Sequence, residues 1–302
     1  MRPTHHEANE EGRDDRVTND RGGGSRRLLD MSADDRLGTA ERERLASGLA
    51  VRSGRLALEY FHRAHACSAR DGSSVIDAGR VVLERLVTEI GRAFPDDAIL
   101  VEQGRLTAGP QHPLYCWILA PVDGADDFAR GMPGFSVSIG VLRNGMPFAG
   151  AVYDPITRWL FTAGTGRGAW LNDRPLRSSP APLSPDSLIA VRTPSGEGAP
   201  PVVEDWLCRH RLRRFGSTAL HLCYAAMGGL DLVYDHRASL WDLAGAAPVL
   251  LEAGGVLTLA DGAPLFPVIT PCRDSPPMTV LAGNPISHAH ALSDVAASAV
   301  TR

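Results

Sequence analysis

The sequence predicts a layered α/β protein: an antiparallel sheet flanked by helices, followed by a smaller mixed α/β half. Three observations lead there. Two stretches of helical periodicity precede the first strand-like run, an Asn144-Gly145 pair sits between two further such runs, and strand and helix signals alternate after about residue 184. At 302 residues, 44% apolar and 22% charged, the chain can bury a large core.

Residues 1–34 mix both charge signs around Gly22-Gly23-Gly24 with few apolar side chains, which predicts a disordered tail. From Ala40 to His65, Leu45, Leu49, Leu56 and Phe61 recur at roughly helical spacing, predicting a long helix. A second helix is expected from about Ala78 to Ala93, with Val82, Leu83, Leu86 and Ile90 on one face. Phe94-Pro95-Asp96-Asp97 ends it. Residues 98–101 then read as a buried strand leading to Glu102, and residues 114–119 as another leading into Ala120-Pro121-Val122-Asp123-Gly124.

Runs 135–142 and 147–153 flank Arg143-Asn144-Gly145-Met146, a strong hairpin signal, and runs 159–163 and 164–171 extend the sheet. Residues 178–201 are rich in Pro, Ser and Gly around one short strand, 188–191. A boundary near Ser184 is expected to divide an N-terminal antiparallel-sheet subdomain, 35–183, from a C-terminal α/β subdomain, 184–302. In the latter we expect a strand at 212–215, a helix at 217–227, a strand at 230–234, a helix at 241–253, and strands near Val256 and Val280.

A formal charge of −4 gives no electrostatic reason to expect nucleic acid or an anionic membrane. No apolar run approaches the ~18 residues of a membrane span. The charged N-terminus has no signal-like apolar stretch, so the protein is expected in the cytoplasm. The five cysteines are scattered without a C-x-x-C spacing and are expected to be buried free thiols. His5 and His6 are expected to be tail residues.

Read from the residues alone, two buried strands end in Glu102 and Asp123, and Asp242 sits at a helix start. Carboxylates in such places either bind cations or cap helices. Asp123-Gly124 also opens a candidate helix whose free N–H groups suit a phosphate. Oxygen ligands beside a phosphate cradle point to Mg²⁺ phosphoryl chemistry.

The order of these residues carries more. Trp117-Ile118-Leu119-Ala120-Pro121-Val122-Asp123-Gly124 resembles the W-I-x-D-P-[IL]-D-G-T-x-N-F motif of the inositol monophosphatase superfamily. Trp241-Asp242-Leu243-Ala244-Gly245-Ala246, followed by Glu252-Ala253-Gly254-Gly255, is similar to its W-D-x-A-x-G…E-A-G-G signature. Ser136-Val137-Ser138-Ile139-Gly140, Tyr153-Asp154-Pro155, Gly168-Ala169-Trp170-Leu171-Asn172 and Gly216-Ser217-Thr218-Ala219 resemble further landmarks in the family's order. The resemblance spans about residues 40–290 and implies an αβαβα sandwich, a small-molecule substrate and a homodimer.

It also implies a site. Glu102, Asp123 and Asp242 match metal-binding carboxylates, and Val122 matches a residue that ligates through its carbonyl. Gly124, Ala125, Gly216, Ser217, Thr218 and Asp235 match substrate-facing positions. Several expected groups are replaced. Ala120 stands where the family has a metal-bridging Asp, and Ala125 where it has a Thr. Aligning Asp71-Gly72-Ser73-Ser74-Val75-Ile76 with the family's D-G-S-P-V-T puts Ile76 at another Thr, Gly79 at the water-orienting Asp and Leu83 at its Glu partner. Asp77 would substitute only with a register shift. Asp126 and Asp127 either give a helix its favourable first-turn charge or, for Asp126, re-supply a catalytic group. His236 is either an acid/base or a solvated loop histidine. Any Mg²⁺ site is therefore expected to be weak and single, with no metal as the alternative.

The expectation is an enzyme acting on a polyol, sugar or nucleotide-like molecule with two-metal hydrolysis lost. A weak single-Mg²⁺ phosphomonoesterase and an inert binding subunit are the alternatives.

Overall fold

The computed structural model describes residues 33–67, 73–101, 106–108, 113–193, 198–268 and 276–300. All but the last two residues of the expected tail, together with Glu102, lie outside the described residues. Helices α1 (Ala33–Cys67) and α2 (Ser73–Ala93) both begin before their apolar periodicity does.

Strands β1 (Ala98–Val101), β2 (Leu106–Ala108), β3 (Tyr115–Asp123), β4 (Ser136–Arg143), β5 (Met146–Asp154), β6 (Trp159–Gly164), β7 (Gly168–Leu171) and β8 (Arg174–Pro175) form one eight-stranded sheet, ordered β2-β1-β3-β4-β5-β6-β7-β8. Its pairings are antiparallel except that β1 and β3 run parallel. The expected purely antiparallel sheet is corrected in this one pair, because the β1–β2 hairpin returns the chain before β3 begins. Asn144 and Gly145 turn the chain from β4 to β5 with φ of 48° and 75°. Positive φ at both positions matches the right-handed twist of the flanking strands, and Asn-Gly tolerates it best.

The second sheet has the order β10-β9-β11-β13-β12. It contains β9 (Leu188–Arg192), β10 (Arg211–Arg213), β11 (Leu232–Ala238), β12 (Val256–Leu259) and β13 (Met278–Gly283). The connecting helices are α3 (Ala125–Ala129), α4 (Pro201–Arg209), α5 (Thr218–Ala226), α6 (Leu240–Leu243), α7 (Ala247–Glu252) and the final α8 (Pro285–Val300).

Five layers result. Helices α1 and α2 bury Leu49, Leu86 and Ile90 against Trp117, Leu119, Ile139 and Val141 of the first sheet. Between the sheets, Leu222 and Ala226 of α5 and Val249 and Leu250 of α7 meet Val152 and Phe161 on one side and Val233 and Val280 on the other. On the far face, Trp206 of α4 and Ala291 of α8 pack on Ile189, Val191 and Leu281. No helix among the described residues is long and apolar enough to cross a membrane. Of the cysteines expected to be buried, Cys116 and Cys223 are, whereas Cys208 on α4 is exposed.

The single helix expected over 241–253 is two short ones, α6 and α7. Pro248, in the first turn of α7, and a backbone crossing are the causes. A Cβ on Gly140 of β4 would lie 2.4 Å from the Ala244 carbonyl, and one on Gly150 of β5 would lie 2.1 Å from the Gly245 oxygen. The chain between α6 and α7 thus presses directly on the first sheet at two glycines, and a continuous helix with side chains there would not fit.

Candidate functional site

Strand β3 loses its register with β4 between Ala120 and Asp123, where Pro121 has no N–H for the ladder. Gly124 follows at φ 89°. A Cβ there would lie 2.4 Å from the Gly134 oxygen and 3.1 Å from the Ser217 nitrogen, so only glycine lets the chain turn into α3. Asp123, 5% exposed, does not cap α3. Its Oδ2 accepts from Ser217 Oγ and, at 2.9 Å, from the Ala219 N–H at the start of α5.

Two further carboxylates converge here. Asp235 on β11 is fully buried and accepts from Thr218 Oγ1 at 2.6 Å and from the Arg237 N–H at 2.9 Å. Asp242 in α6 accepts the Ser239 N–H at 2.9 Å, so the helix-capping role is present. Its charge still reaches the site. Burial first, and then the negative Asp242, push the Asp123 carboxyl up to about 7, against the pull of Ser217, Ala219 and Arg192.

Arg192 was not legible as a site residue in the sequence. It ends β9, and the parallel register sets it beside Asp235 on β11. Its Nη1 lies 3.4 Å from Oδ2 of both Asp235 and Asp242, and 3.3 Å from Thr218 Oγ1. Burial opposes its charge, but Asp235, Asp242 and Asp123 together hold its pKa above the ordinary arginine value.

Above these groups opens a cleft of about 810 Å³ lined from residues 124–132 and 192–237. Of the site residues read from the sequence, Gly124, Ala125, Asp126, Gly216 and Asp235 reach its wall. Ser217 and Thr218 are instead buried, holding Asp123 and Asp235. Asp127 accepts the Gly216 N–H at 2.8 Å and ties α3 to the loop before α5. Arg130, Arg214 and Arg237, absent from the sequence reading, also line the cleft. His236 lies on β11 and not in a loop, bonded to Thr279 Oγ1 at 3.3 Å and stacked on Tyr234. It is not among the residues lining the cleft. Asp77 is exposed and pairs with Arg80 at 3.8 Å.

His221 on α5 is fully buried. Its Nε2 accepts the Phe215 N–H at 3.2 Å, which assigns the proton to Nδ1, and Nδ1 has no partner among the described residues. Burial, reinforced by Arg192, pushes its pKa down to about 4. A lowered histidine pKa contributes stability that is complete above the unfolded value of about 6.5 and is lost as pH falls toward 4. Asp123, raised, has the opposite slope in the same window, so a comparison with His221→Leu isolates the histidine. The stability difference between wild type and His221→Leu is expected to move against wild type by about 3 kcal/mol between pH 7 and pH 4. Urea denaturation at both pH values measures it, and parallel curves would refute it.

The sequence profile described as "Inositol monophosphatase family" matches residues 39–300. The chain belongs to that family. It is 33% identical over 236 residues to Nus factor SuhB of Xylella fastidiosa, covering 74% of this chain and 81% of that protein. It is 34% identical over 203 residues to the inositol-1-monophosphatase of Synechocystis sp., covering 65% and 70%. The crystal structure of inositol monophosphatase from Anabaena superposes with a TM-score of 0.72 at 29% identity, covering 85% of this chain and 96% of that one.

The family motifs imply a pair of Mg²⁺ ions, and toward them the described residues supply Asp123, Asp242 and the Val122 carbonyl. Ala120, 2% exposed, offers a methyl group where a bridging carboxylate is expected. It sits opposite Ser138, whose buried hydroxyl has no hydrogen-bond partner among the described residues. Among the described residues, no three His, Cys, Asp or Glu side chains are grouped to hold a metal. Asp123 and Asp242 remain near enough for the Asp242 charge to raise the Asp123 carboxyl, with Arg192 already on Asp242.

Proposed function

We propose that this protein binds a phosphorylated polyol, sugar or nucleotide-like molecule in the cleft and has lost two-metal phosphate hydrolysis. One observation carries the reading. The positions where the family motifs imply polar groups for the attacking water, Ile76, Gly79, Leu83 and Ala125, line a single pocket of about 420 Å³ together with Pro121 and Val122. Among the described residues that line it, Arg80 alone is ionisable. A water there would find neither the carboxylate pair nor the hydroxyls that aim it. The pocket meets the cleft at Ala125, so the loss falls beside the anion-binding wall and not at random.

Losing one preorganised catalytic group lowers a rate by about a hundredfold to a thousandfold. The native protein is therefore expected to hydrolyse inositol 1-phosphate, adenosine 3′,5′-bisphosphate and p-nitrophenyl phosphate at least about a hundredfold more slowly than an active inositol monophosphatase assayed beside it. Added Mg²⁺ should change little. Substantial turnover abolished by a chelator would overturn the reading. It would favour the weak single-Mg²⁺ phosphomonoesterase, for which the electrostatically linked Asp123 and Asp242 are the supporting feature. A cation there would compete with Arg192 for Asp242.

A further inference from the structure

We infer that the guanidinium of Arg192 is a built-in replacement for the divalent cation, and that it makes the cleft a metal-independent site for a phosphate group. The inference rests on the functional reading above and adds how the ligand is held. Three buried carboxylates, Asp123, Asp235 and Asp242, lie around Arg192, and buried negative charges of this kind are strongly destabilising without a cation. Arg192 supplies that cation from within the chain, 3.4 Å from two of them.

An internal cation differs from a metal in what it leaves over. Arg192 Nη1 is used on the carboxylates, while its side chain remains 39% exposed and lines the cleft. A guanidinium carries five N–H donors in a planar fork that matches phosphate oxygens. Arg130, Arg214 and Arg237 line the same cleft. The carboxylates on that wall are largely committed: Asp127 to the Gly216 N–H, and Asp235 to Thr218, Arg192 and the Arg237 N–H. Asp126 is exposed and opposes an anion, and four arginines outweigh it. The cleft, at about 810 Å³, is far larger than a phosphate alone and leaves room for the body of the molecule that bears it.

The parallel pairing of β9 with β11 explains why this residue can do so. It puts Asp235, midway along β11, beside Arg192 at the carboxyl end of β9, the end of a strand where open α/β sheets bind ligands. The guanidinium is thus fixed by backbone register as well as by its ion pairs.

The test is calorimetry with inorganic phosphate in excess EDTA, and separately with Mn²⁺, on wild type, Arg192→Ala and Arg192→Lys. Wild type is expected to bind phosphate without metal, with no gain from Mg²⁺, and to bind Mn²⁺ poorly. Arg192→Ala should lose phosphate affinity about tenfold or more, the worth of a charge-assisted contact, and should gain Mn²⁺ affinity as Asp242 and Asp235 are released. Arg192→Lys keeps the charge without the fork, so it should still bind Mn²⁺ poorly and bind phosphate with intermediate affinity. If Arg192→Ala does not fold, the lysine variant and the wild-type measurement still decide. Phosphate binding by wild type only when Mg²⁺ or Mn²⁺ is present, or phosphate affinity unchanged in the Arg192 variants, would overturn the inference. Either result in a protein inert as a phosphatase leaves the functional reading standing. Chelator-sensitive turnover by wild type removes that reading instead.

Discussion

Asp97→Ala is expected to lower the unfolding free energy by about 3–5 kcal/mol. Asp97 follows α2, is 4% exposed, and accepts from Arg42 Nε at 2.9 Å and Nη2 at 2.8 Å. Trp117 Nε1 on β3 donates to the same carboxylate at 2.8 Å. The Arg42 guanidinium is also stacked over the rings of Tyr115 at 3.6 Å and Phe94 at 4.2 Å. One carboxylate therefore joins α1, the end of α2 and the strand that delivers Asp123. Truncating it leaves a buried guanidinium with the Gly38 carbonyl, at 3.5 Å, in place of two charge-assisted bonds, and leaves the indole N–H without its acceptor, which is why the loss exceeds that of a surface ion pair. Asp97→Asn should lose less, because it keeps one acceptor. Removing both charges, as in Arg42→Met with Asp97→Leu, should recover much of the loss. Urea midpoints at constant slope measure all three. A loss under about 1 kcal/mol for Asp97→Ala would mean the network is solvated and contributes as a surface pair does.

The sequence told most where the structure is local. Asn144-Gly145 needs positive φ at both positions, and that requirement is written in the two residues themselves. The segments carrying the family motifs are similarly self-contained: β3 into Gly124, Ser217 before α5, and Trp241-Asp242. What stayed hidden depends on distant register. Arg192 is an ordinary strand-end arginine until β9 pairs with β11 across the 43 residues that separate it from Asp235. Gly245 reads as a tolerable helix glycine, and the crossing over Gly140 and Gly150 acts there together with Pro248, which can start α7 but not continue α6. Helices α4 and α8 were missed for different reasons. The first begins with a proline at the edge of a Pro/Ser/Gly-rich stretch, and the second is rich in Ala, Ser and His, with a weak apolar stripe. Gly79, Leu83 and Ile76 were placed by aligning a motif, and their meeting with Ala125 in one pocket is a property of tertiary packing alone.

Restoring the polar groups together, as Gly79→Asp, Ala120→Asp and Ala125→Thr, is expected to raise Mg²⁺-dependent hydrolysis of p-nitrophenyl phosphate by about a hundredfold or more over the native protein. The local space allows it. A Cβ on Gly79 would meet nothing within 4 Å, and Ala125 lies exposed where pocket and cleft join. Ala120 is the demanding position, since it is 2% exposed. A carboxylate there without a cation adds a third negative group near Asp123 and Asp242 and should lower the melting temperature. The same variant should then regain stability in Mg²⁺ or Mn²⁺, because a ligand that binds only the folded state raises its stability. That cation-dependent shift is readable even without turnover, and calorimetry should show the matching gain in Mn²⁺ affinity. Each single reversion should restore little activity, because metal binding and water positioning act as a unit. Arg192 remains a competitor for Asp242, so adding Arg192→Ala to the triple variant should raise its metal affinity further. A triple variant that folds, binds Mn²⁺ tightly and still shows no hydrolysis would mean that Gly79, Ala120 and Ala125 are not what silences the site.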